Sequence, residues 1–191
     1  LGDLNSDGAV DIADVMILAR IVVGLIEPTG CQLQAGDISG NGELTAYDCA
    51  LLYQIIVGLV GLPALDKSEA VPGAGTDSVS KAEPRTLGLG AATGAPGEVV
   101  SVPVLISDAT GINSFDLTVV FPPEPNTLEF VEAVPGALTE GFISAWNADT
   151  GSVRVAMCYH TALGDGDVLP GELAVLRFRI PAEAPACFTV P

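Results

Sequence analysis

The sequence is poor in basic residues, in aromatic residues and in charge of any kind. Its 191 residues include 7 Lys and Arg against 24 Asp and Glu, and aromatic residues make up 5%. A formal net charge of −17 excludes nucleic acid as a partner, because phosphate binding requires basic patches. No apolar run reaches the roughly 18 residues of a membrane-spanning helix, so we predict no membrane insertion.

Residue types that carry catalysis are equally scarce. His160 is the single histidine, and no Ser or Cys stands beside it in a triad pattern. The sequence contains no phosphate-binding loop and no dinucleotide fingerprint. Trp146, the single tryptophan, is either a core residue or a sugar platform. We therefore predict a protein that is not an enzyme.

The first third of the chain carries an internal repeat. Asp3 and Asp37, Gly8 and Gly42, and Asp14 and Asp48 are each separated by 34 residues, and an apolar run follows each copy. A constant offset indicates two copies of one supersecondary unit.

Each copy matches a calcium-binding loop of about twelve residues, in which five side chains and one carbonyl supply oxygens around a glycine turn. Oxygen donors suit Ca²⁺ better than zinc, which prefers Cys and His. We predict two Ca²⁺ ions, with Asn/Asp/Gly-rich surface turns as the alternative. The predicted ligands are Asp3, Asn5, Asp7, Asp11, Asp14 and the Ala9 carbonyl in the first loop, and Asp37, Ser39, Asn41, Thr45, Asp48 and the Glu43 carbonyl in the second.

A short helix is predicted after each loop, over about 12–23 and 46–57. Val15, Leu18 and Val22 fall at helical spacing, but other faces of the same segment are apolar as well. The surplus indicates a face covered either by a partner protein or by the rest of the chain.

The second half has the two-residue period of β-strands. Val100, Val102 and Val104 alternate with their neighbours, and similar alternation recurs near 115–121, 153–157 and 176–180. Short strands broken by Gly and Pro predict an antiparallel β-sandwich. The fold class is thus two domains: a small all-α calcium-binding loop–helix pair over 1–62 and an all-β antiparallel sandwich over 86–191. Residues 63–85 form a linker, for which a flexible tether of about 20 residues has an r.m.s. reach of roughly 25 Å.

Four cysteines allow three pairings. Their order in the chain suggests Cys31–Cys49 and Cys158–Cys187, with free buried thiols as the alternative. The chain begins almost inside the first loop, so we expect a mature, secreted form at an extracellular or cell-surface location, where millimolar calcium suits an acid-poor second loop.

The paired loop–helix units, with their Gly2-Asp3 and Gly36-Asp37 openings, resemble a type I-like dockerin, the calcium-dependent plug of cellulosome-type assemblies. The resemblance covers about residues 2–62. It implies that partner contacts are made at loop positions 10 and 11 and farther along each helix. Those positions are Ile12, Ala13, Ala19 and Arg20 in the first repeat, and Ala46, Tyr47, Tyr53 and Gln54 in the second.

The strand signals resemble a cohesin, the socket that receives dockerins, over about 86–190. They lie in the segments 97–104, 112–119 and 173–181. The resemblance implies a further last strand beyond Pro191, which leads us to expect an incomplete sandwich. A plug and a socket on one chain predict head-to-tail self-association into a filament or ring, through the cohesin-like domain of another copy. The alternatives are an adaptor bound to a scaffold protein of a polysaccharide-degrading complex, and a carbohydrate-binding sandwich with a dockerin tag.

Overall fold

A computed structural model describes residues 1–60, 85–121, 128–164 and 170–184, and the backbone of 189–190. The predicted linker at 63–85 lies outside the described residues except for Arg85. Within these ranges three helices, α1 (Ile12–Val22), α2 (Gly30–Gly36) and α3 (Ala46–Ile56), precede nine strands. The strands are β1 (Leu87–Leu89), β2 (Ala92–Thr93), β3 (Val99–Ile106), β4 (Ser114–Val120), β5 (Glu129–Pro135), β6 (Ile143–Asp149), β7 (Ser152–Cys158), β8 (Gly171–Arg179) and β9 (Thr189–Val190).

The two predicted helices are present, and both begin at a residue of a predicted calcium loop. Asp11 caps α1 by accepting a hydrogen bond from the Ala13 N–H at 2.8 Å, and Thr45 occupies the matching position before α3. None of the helices in the described ranges is long and apolar enough to cross a lipid bilayer.

Helix α2 was not predicted from the sequence. Thr29 precedes it, and Gln32 returns its side chain to the Thr29 backbone at 3.0 Å, which forms a capping box. A Thr followed three residues later by Gln is a readable signal of such a start. The Gln32 amide also donates to the Leu4 carbonyl at 3.2 Å, so α2 ties the first loop to the second repeat.

The second half forms the predicted antiparallel sandwich. One sheet has the order β1-β3-β8-β5 and the other the order β4-β7-β6, while β2 pairs with β9. The inward residues predicted on β3, β4, β7 and β8 are confirmed, and Val102, Val155 and Leu176 are buried between the sheets. On β7, Ala156 and Cys158 of the opposite face are buried as well. Trp146 is half-buried against Phe130, with ring centroids 5.0 Å apart, as the core interpretation expected.

The last described residues already form a strand. Thr189 and Val190 pair antiparallel with Thr93 and Ala92. The expectation that a further strand follows stays a prediction.

Thr139 is a buried polar residue that fastens the loop before β6 to strand β8. Its hydroxyl donates to the Leu173 carbonyl at 2.6 Å and accepts from the Gly136 N–H at 3.0 Å. Thr139→Val keeps the shape but removes both bonds, so we expect a loss of about 1–2 kcal/mol in the free energy of unfolding. Urea titration measures it, with Thr161→Val, at an exposed position, as the control. Equal midpoints for the two variants would contradict the assignment.

Candidate functional site

The first predicted calcium loop is closed around its own backbone by carboxylates. Asp3 accepts hydrogen bonds from the N–H groups of Asp7 and Gly8 at 3.2 and 3.1 Å. Asp14 joins the two ends of the loop, because its Oδ1 accepts from Leu4 N–H at 2.8 Å and its Oδ2 from Asp11 N–H at 2.9 Å. Gly8 makes the predicted turn with φ of +89°, a left-handed conformation that favours glycine.

The second loop repeats most of this geometry 34 residues farther on, except that the N–H of Ile38, the counterpart of Leu4, donates to the Gly36 carbonyl at 2.9 Å. Asp37 accepts from the N–H groups of Asn41 and Gly42 at 3.0 and 2.9 Å, and Gly42 has φ of +88°. Asp48 accepts from Ser39 N–H at 2.9 Å and from Thr45 N–H at 3.0 Å. The structural repeat therefore confirms that the 34-residue offset marks two copies of one unit.

The chemistry of both loops fits a hard cation. Asp14 and Asp48 are fully buried, and neither forms an ion pair with a basic side chain anywhere in the described part of the chain. A buried carboxylate without a countercharge is costly unless its environment supplies one. A divalent cation held by the loop oxygens would supply it.

The loops do not present a dense cluster of acidic ligands. Among the residues that the structure describes, no group of three or more His, Cys, Asp and Glu side chains could hold a metal ion. The carboxylate oxygens instead face their own backbone N–H groups. Coordination would therefore draw also on Asn, Ser and Thr oxygens and on carbonyls, and the second loop, with two carboxylates against four in the first, would depend more on these neutral donors.

The helices of the first half pack on the outer face of the β4-β7-β6 sheet. Strand register places Ala156 of β7 between Asp116 of β4 and Ala145 of β6, and Cys158 between Ser114 and Ile143. Ala145, Ala156 and Cys158 are buried in one cluster with residues of α1 and α3. Their small side chains leave room for two helices to lie close to the sheet. Part of the apolar surplus of the helices is thus covered by the rest of the same chain, while Ile12 and Met16 of α1 stay exposed.

Aromatic side chains and two thiols complete this helix–sheet interface. Tyr53 of α3 lies edge-on to Tyr159 at 5.9 Å and to His160 at 4.9 Å between ring centroids. Cys49 of α3 and Cys158 of β7 are buried in the same cluster, and the neighbouring Cys158 thiol together with burial raises the pKa of the Cys49 thiol well above its usual range. The predicted Cys31–Cys49 disulfide is therefore wrong, because Cys31 is a free thiol exposed on α2 while Cys49 faces the sheet. Cys187 lies outside the described residues.

The predicted partner-contact residues divide into two sets. Ala19 and Ala46 are buried in the cluster that contains the sheet residues, Tyr53 touches the sandwich directly, and Gln54 is half-buried. A second set stays at the surface of the docked helices, and we call it the outer helix face. It consists of Ile12, Ala13, Arg20 and Tyr47.

Sequence reasoning missed the sandwich side of the interface. Asn147 on β6 donates from Nδ2 to the carbonyl of Val23, just after α1, at 3.2 Å. The segment Val155-Ala156-Met157-Cys158 is apolar at every position. A strand without polar alternation is covered on both faces, and this signal could have located the covered face.

Asn147→Ala removes a polar contact across the interface while leaving the sandwich core untouched. We expect docking to weaken by about 1 kcal/mol, the usual net contribution of one hydrogen bond. Weaker docking should appear as faster hydrogen exchange of the α1 amides in the full-length Asn147→Ala variant than in wild type. Asn113→Ala, on the sandwich but away from α1, is the control. Unchanged α1 exchange in Asn147→Ala would show that the bond contributes nothing.

The comparisons with known proteins match both halves. A family model described as a cohesin domain matches residues 86–190, and one described as a dockerin type I domain matches residues 1–56. No curated protein matches the chain.

Solved structures of cohesins are similar over about half of the chain. A non-cellulosomal cohesin from the hyperthermophilic archaeon Archaeoglobus fulgidus is 21% identical with a TM-score of 0.44, covering 56% of this chain and 73% of that one. The sixth cohesin of scaffoldin B from Acetivibrio cellulolyticus, in complex with a mutant dockerin, is 27% identical with a TM-score of 0.42, covering 52% and 74%. A type I cohesin–dockerin complex from Clostridium thermocellum is 17% identical with a TM-score of 0.46, and the match covers 56% of this chain and 79% of that one.

Both halves are therefore non-catalytic protein–protein binding modules. The chain belongs to the cohesin family and carries a type I dockerin domain in front of its cohesin domain.

Proposed function

We propose that the chain is a calcium-dependent assembly module whose dockerin helices dock on the β4-β7-β6 face of a cohesin domain of the same kind. The observation that carries this proposal is the helix–sheet interface itself. Ala156 and Cys158 of β7 are each 1% exposed because α1 and α3 cover them. A sheet face lined by small side chains, matched to helices with an apolar surplus, is a specific docking pair.

The same contacts made between chains would give head-to-tail self-association. Plug and socket are different surfaces, so a contact between copies is heterologous and continues into a filament or closes into a ring. Residues 61–84 join the two halves, and about 24 residues reach at most roughly 80 Å when extended. That length permits the helices of one chain to dock on the sandwich of a neighbouring chain. The helix–sheet interface would then be the same whether the helices dock on their own sandwich or on that of another copy.

Two Ca²⁺ ions are part of this proposal, held by the loop residues predicted above. The fit rests on the oxygen donors and on the buried carboxylates of Asp14 and Asp48, which accept backbone hydrogen bonds but form no ion pair with a basic side chain in the described ranges. Because these residues are the third residues of α1 and α3, the ions would control where both docking helices begin. Millimolar calcium outside cells suits such sites, which supports an extracellular or cell-surface location.

Mixing separate halves tests assembly directly. Residues 1–62 and 63–191 are combined with calcium and then with a chelator, and binding is followed by size-exclusion chromatography with light scattering. We expect the two halves to form a calcium-dependent complex that the chelator dissociates. For the full chain in calcium, we expect the measured mass to rise with protein concentration. Absence of binding at high micromolar concentration would refute self-assembly.

A second candidate is an adaptor that binds the cohesin of a scaffold protein. The observation that favours it is the outer helix face, which stays at the surface after docking; Ile12 is 43% exposed and Tyr47 36%. Tyr53, by contrast, is engaged by the sandwich. The sugar-binding alternative has less support, because Trp146 is packed against Phe130.

Tyr47→Asp separates these two candidates. Aromatic side chains often dominate interfaces, so a partner on the outer helix face should lose about 2 kcal/mol or more of binding. Association of the 1–62 and 63–191 halves should stay within about threefold of wild type, because exposed substitutions rarely change stability. Calorimetry measures the affinity between the two halves. Tyr53→Asp is the matched variant, and it should abolish their association. Loss of association in Tyr47→Asp alone would move the interface to the outer helix face.

A further inference from the structure

The second calcium loop contains the one asparagine of the chain that is followed by glycine. The sequence has five asparagines, and only Asn41 stands before a glycine, Gly42. Both residues are exposed, and a Cβ placed on Gly42 would meet nothing within 4 Å. An asparagine side chain can react with the next backbone nitrogen, and glycine, which has no Cβ, hinders that approach least. Asn41 is therefore the asparagine of this chain most open to such a reaction.

The closed loop holds both reacting groups in hydrogen bonds. The Gly42 N–H, whose nitrogen would attack, donates to Asp37 Oδ2 at 2.9 Å. Losing that proton beside a carboxylate would bring two negative charges together, which is unfavourable. The Asn41 side-chain oxygen accepts from the Glu43 N–H at 2.8 Å, which fixes the direction of the side chain. Both bonds have to break before the nitrogen can reach the side-chain carbon, so the reaction belongs to the open loop.

We propose that Asn41 is a site of spontaneous deamidation that is protected while the second loop holds calcium and reacts once calcium is lost. The inference rests on the calcium sites of the proposed function and adds a modification site to the second of them. The Asn41 side-chain oxygen and the Glu43 carbonyl are predicted ligands. A ligand that binds only the closed form lowers the population of the open form.

The reaction requires only water as a co-reactant. The Gly42 nitrogen loses its proton and attacks the side-chain carbon of Asn41. A C–N bond forms, the bond from that carbon to Nδ2 breaks, and Nδ2 leaves with the proton as ammonia. Water then opens the resulting cyclic imide at one of its two carbonyl carbons. Opening at the side-chain carbon gives aspartate, whereas opening at the main-chain carbon gives isoaspartate, whose backbone is one carbon longer.

The two products change the second loop in opposite ways. Aspartate at position 41 matches Asp7, which holds the same position in the first loop, and it adds a carboxylate to the predicted ligands. Isoaspartate displaces Gly42 and the Glu43 carbonyl from their places in the loop, so the site loses a ligand. A chain that has been without calcium therefore carries a permanent change in its second site.

The test follows the full chain at neutral pH in calcium, in chelator and in guanidinium chloride. Trypsin peptide 21–67 contains Asn41 as its single asparagine, and mass spectrometry measures its deamidated fraction over time. We expect the rate in chelator to approach the rate in guanidinium chloride. With free calcium at about 100 times the dissociation constant that calorimetry gives for the second loop, the rate should fall about 100-fold, because the open fraction falls by that factor.

Asn41→Gln is the control, and its peptide 21–67 should not gain mass over the same period. Equal rates in calcium and chelator, in a chain that calorimetry shows to bind calcium, would overturn this inference alone. A rate in chelator far below that in guanidinium chloride would overturn it too, since the loop would then close without calcium. Equally fast deamidation in peptides 1–20 or 86–154, which hold the other asparagines, would refute the assignment to Asn41.

Failure of the proposed function gives different results. If the halves do not associate, the ratio of deamidation rates is unaffected, because it is measured on the peptide and does not depend on assembly. If calorimetry detects no calcium binding, the calcium sites of the proposed function and this inference are both refuted.

Discussion

Removing calcium from the full chain is expected to abolish most of its helical circular dichroism. Helices α1 and α3 have 11 residues each, below the length of about 12–15 at which isolated helices become even marginal in water. Their first turns are held by Asp14 and Asp48, which are buried acids without a basic partner in the described residues. Without a cation, repulsion and desolvation at these carboxylates should disfavour the folded loops.

Substitutions at the loops should reproduce the effect one site at a time. Asp3→Ala and Asp14→Ala should each abolish the first site, and Asp37→Ala and Asp48→Ala the second. Asp14→Ala also removes the acceptor of the bonds from Leu4 and Asp11, so we expect a loss of about 3 kcal/mol or more. Calcium titration by calorimetry and circular dichroism measure both effects.

Glu43→Gln is the matched control for these substitutions. Its predicted contribution to the second loop is a backbone carbonyl, and its side chain is exposed. Calcium affinity should therefore stay close to wild type. Helix content that is unchanged in excess chelator would defeat the proposal for both loops.

The calcium loops and helix starts were readable from the sequence because they are local. Asp3, Gly8 and Asp14 interact within twelve residues of one another, so spacing alone fixes which groups meet. The same holds for Gln32, whose capping box could have located α2. Strand β3 was readable because burial between the two sheets imposes a two-residue period. On β7 the core residues Val153, Val155 and Met157 follow the same period, although the opposite face of its second half is buried too.

Strands β5 and β6 were missed because their surroundings hide that period. On β6, Ala145 faces the helices while Trp146 faces the core, so neither side of the strand is consistently polar. The helix–sheet interface could not be predicted either, since its buried cluster brings together residues such as Cys49 and Cys158, which are more than 100 positions apart. Spacing carries no information about such a pair, and the chain-order rule therefore assigned Cys49 to Cys31 incorrectly.

Ala156→Arg is expected to release the dockerin helices from the sandwich. Ala156 is 1% exposed and points from the centre of β7 into the cluster formed with α1 and α3. An arginine there either displaces the helices or buries an unpaired charge, which costs about 3 kcal/mol or more. Docking should therefore weaken at least about 100-fold, since 1.4 kcal/mol corresponds to a factor of ten.

The sandwich itself should survive this change, because the residues flanking Ala156 on β7, Val155 and Met157, face the other way into the core. Val120→Arg is the matched control, since Val120 lies on β4 of the same sheet and is 77% exposed. After cleavage of the chain at a protease site inserted between residues 61 and 84, wild type and Val120→Arg should elute as one complex in calcium. The two halves of Ala156→Arg should elute separately, and their co-elution would show that the helices hold to some surface other than the β4-β7-β6 face.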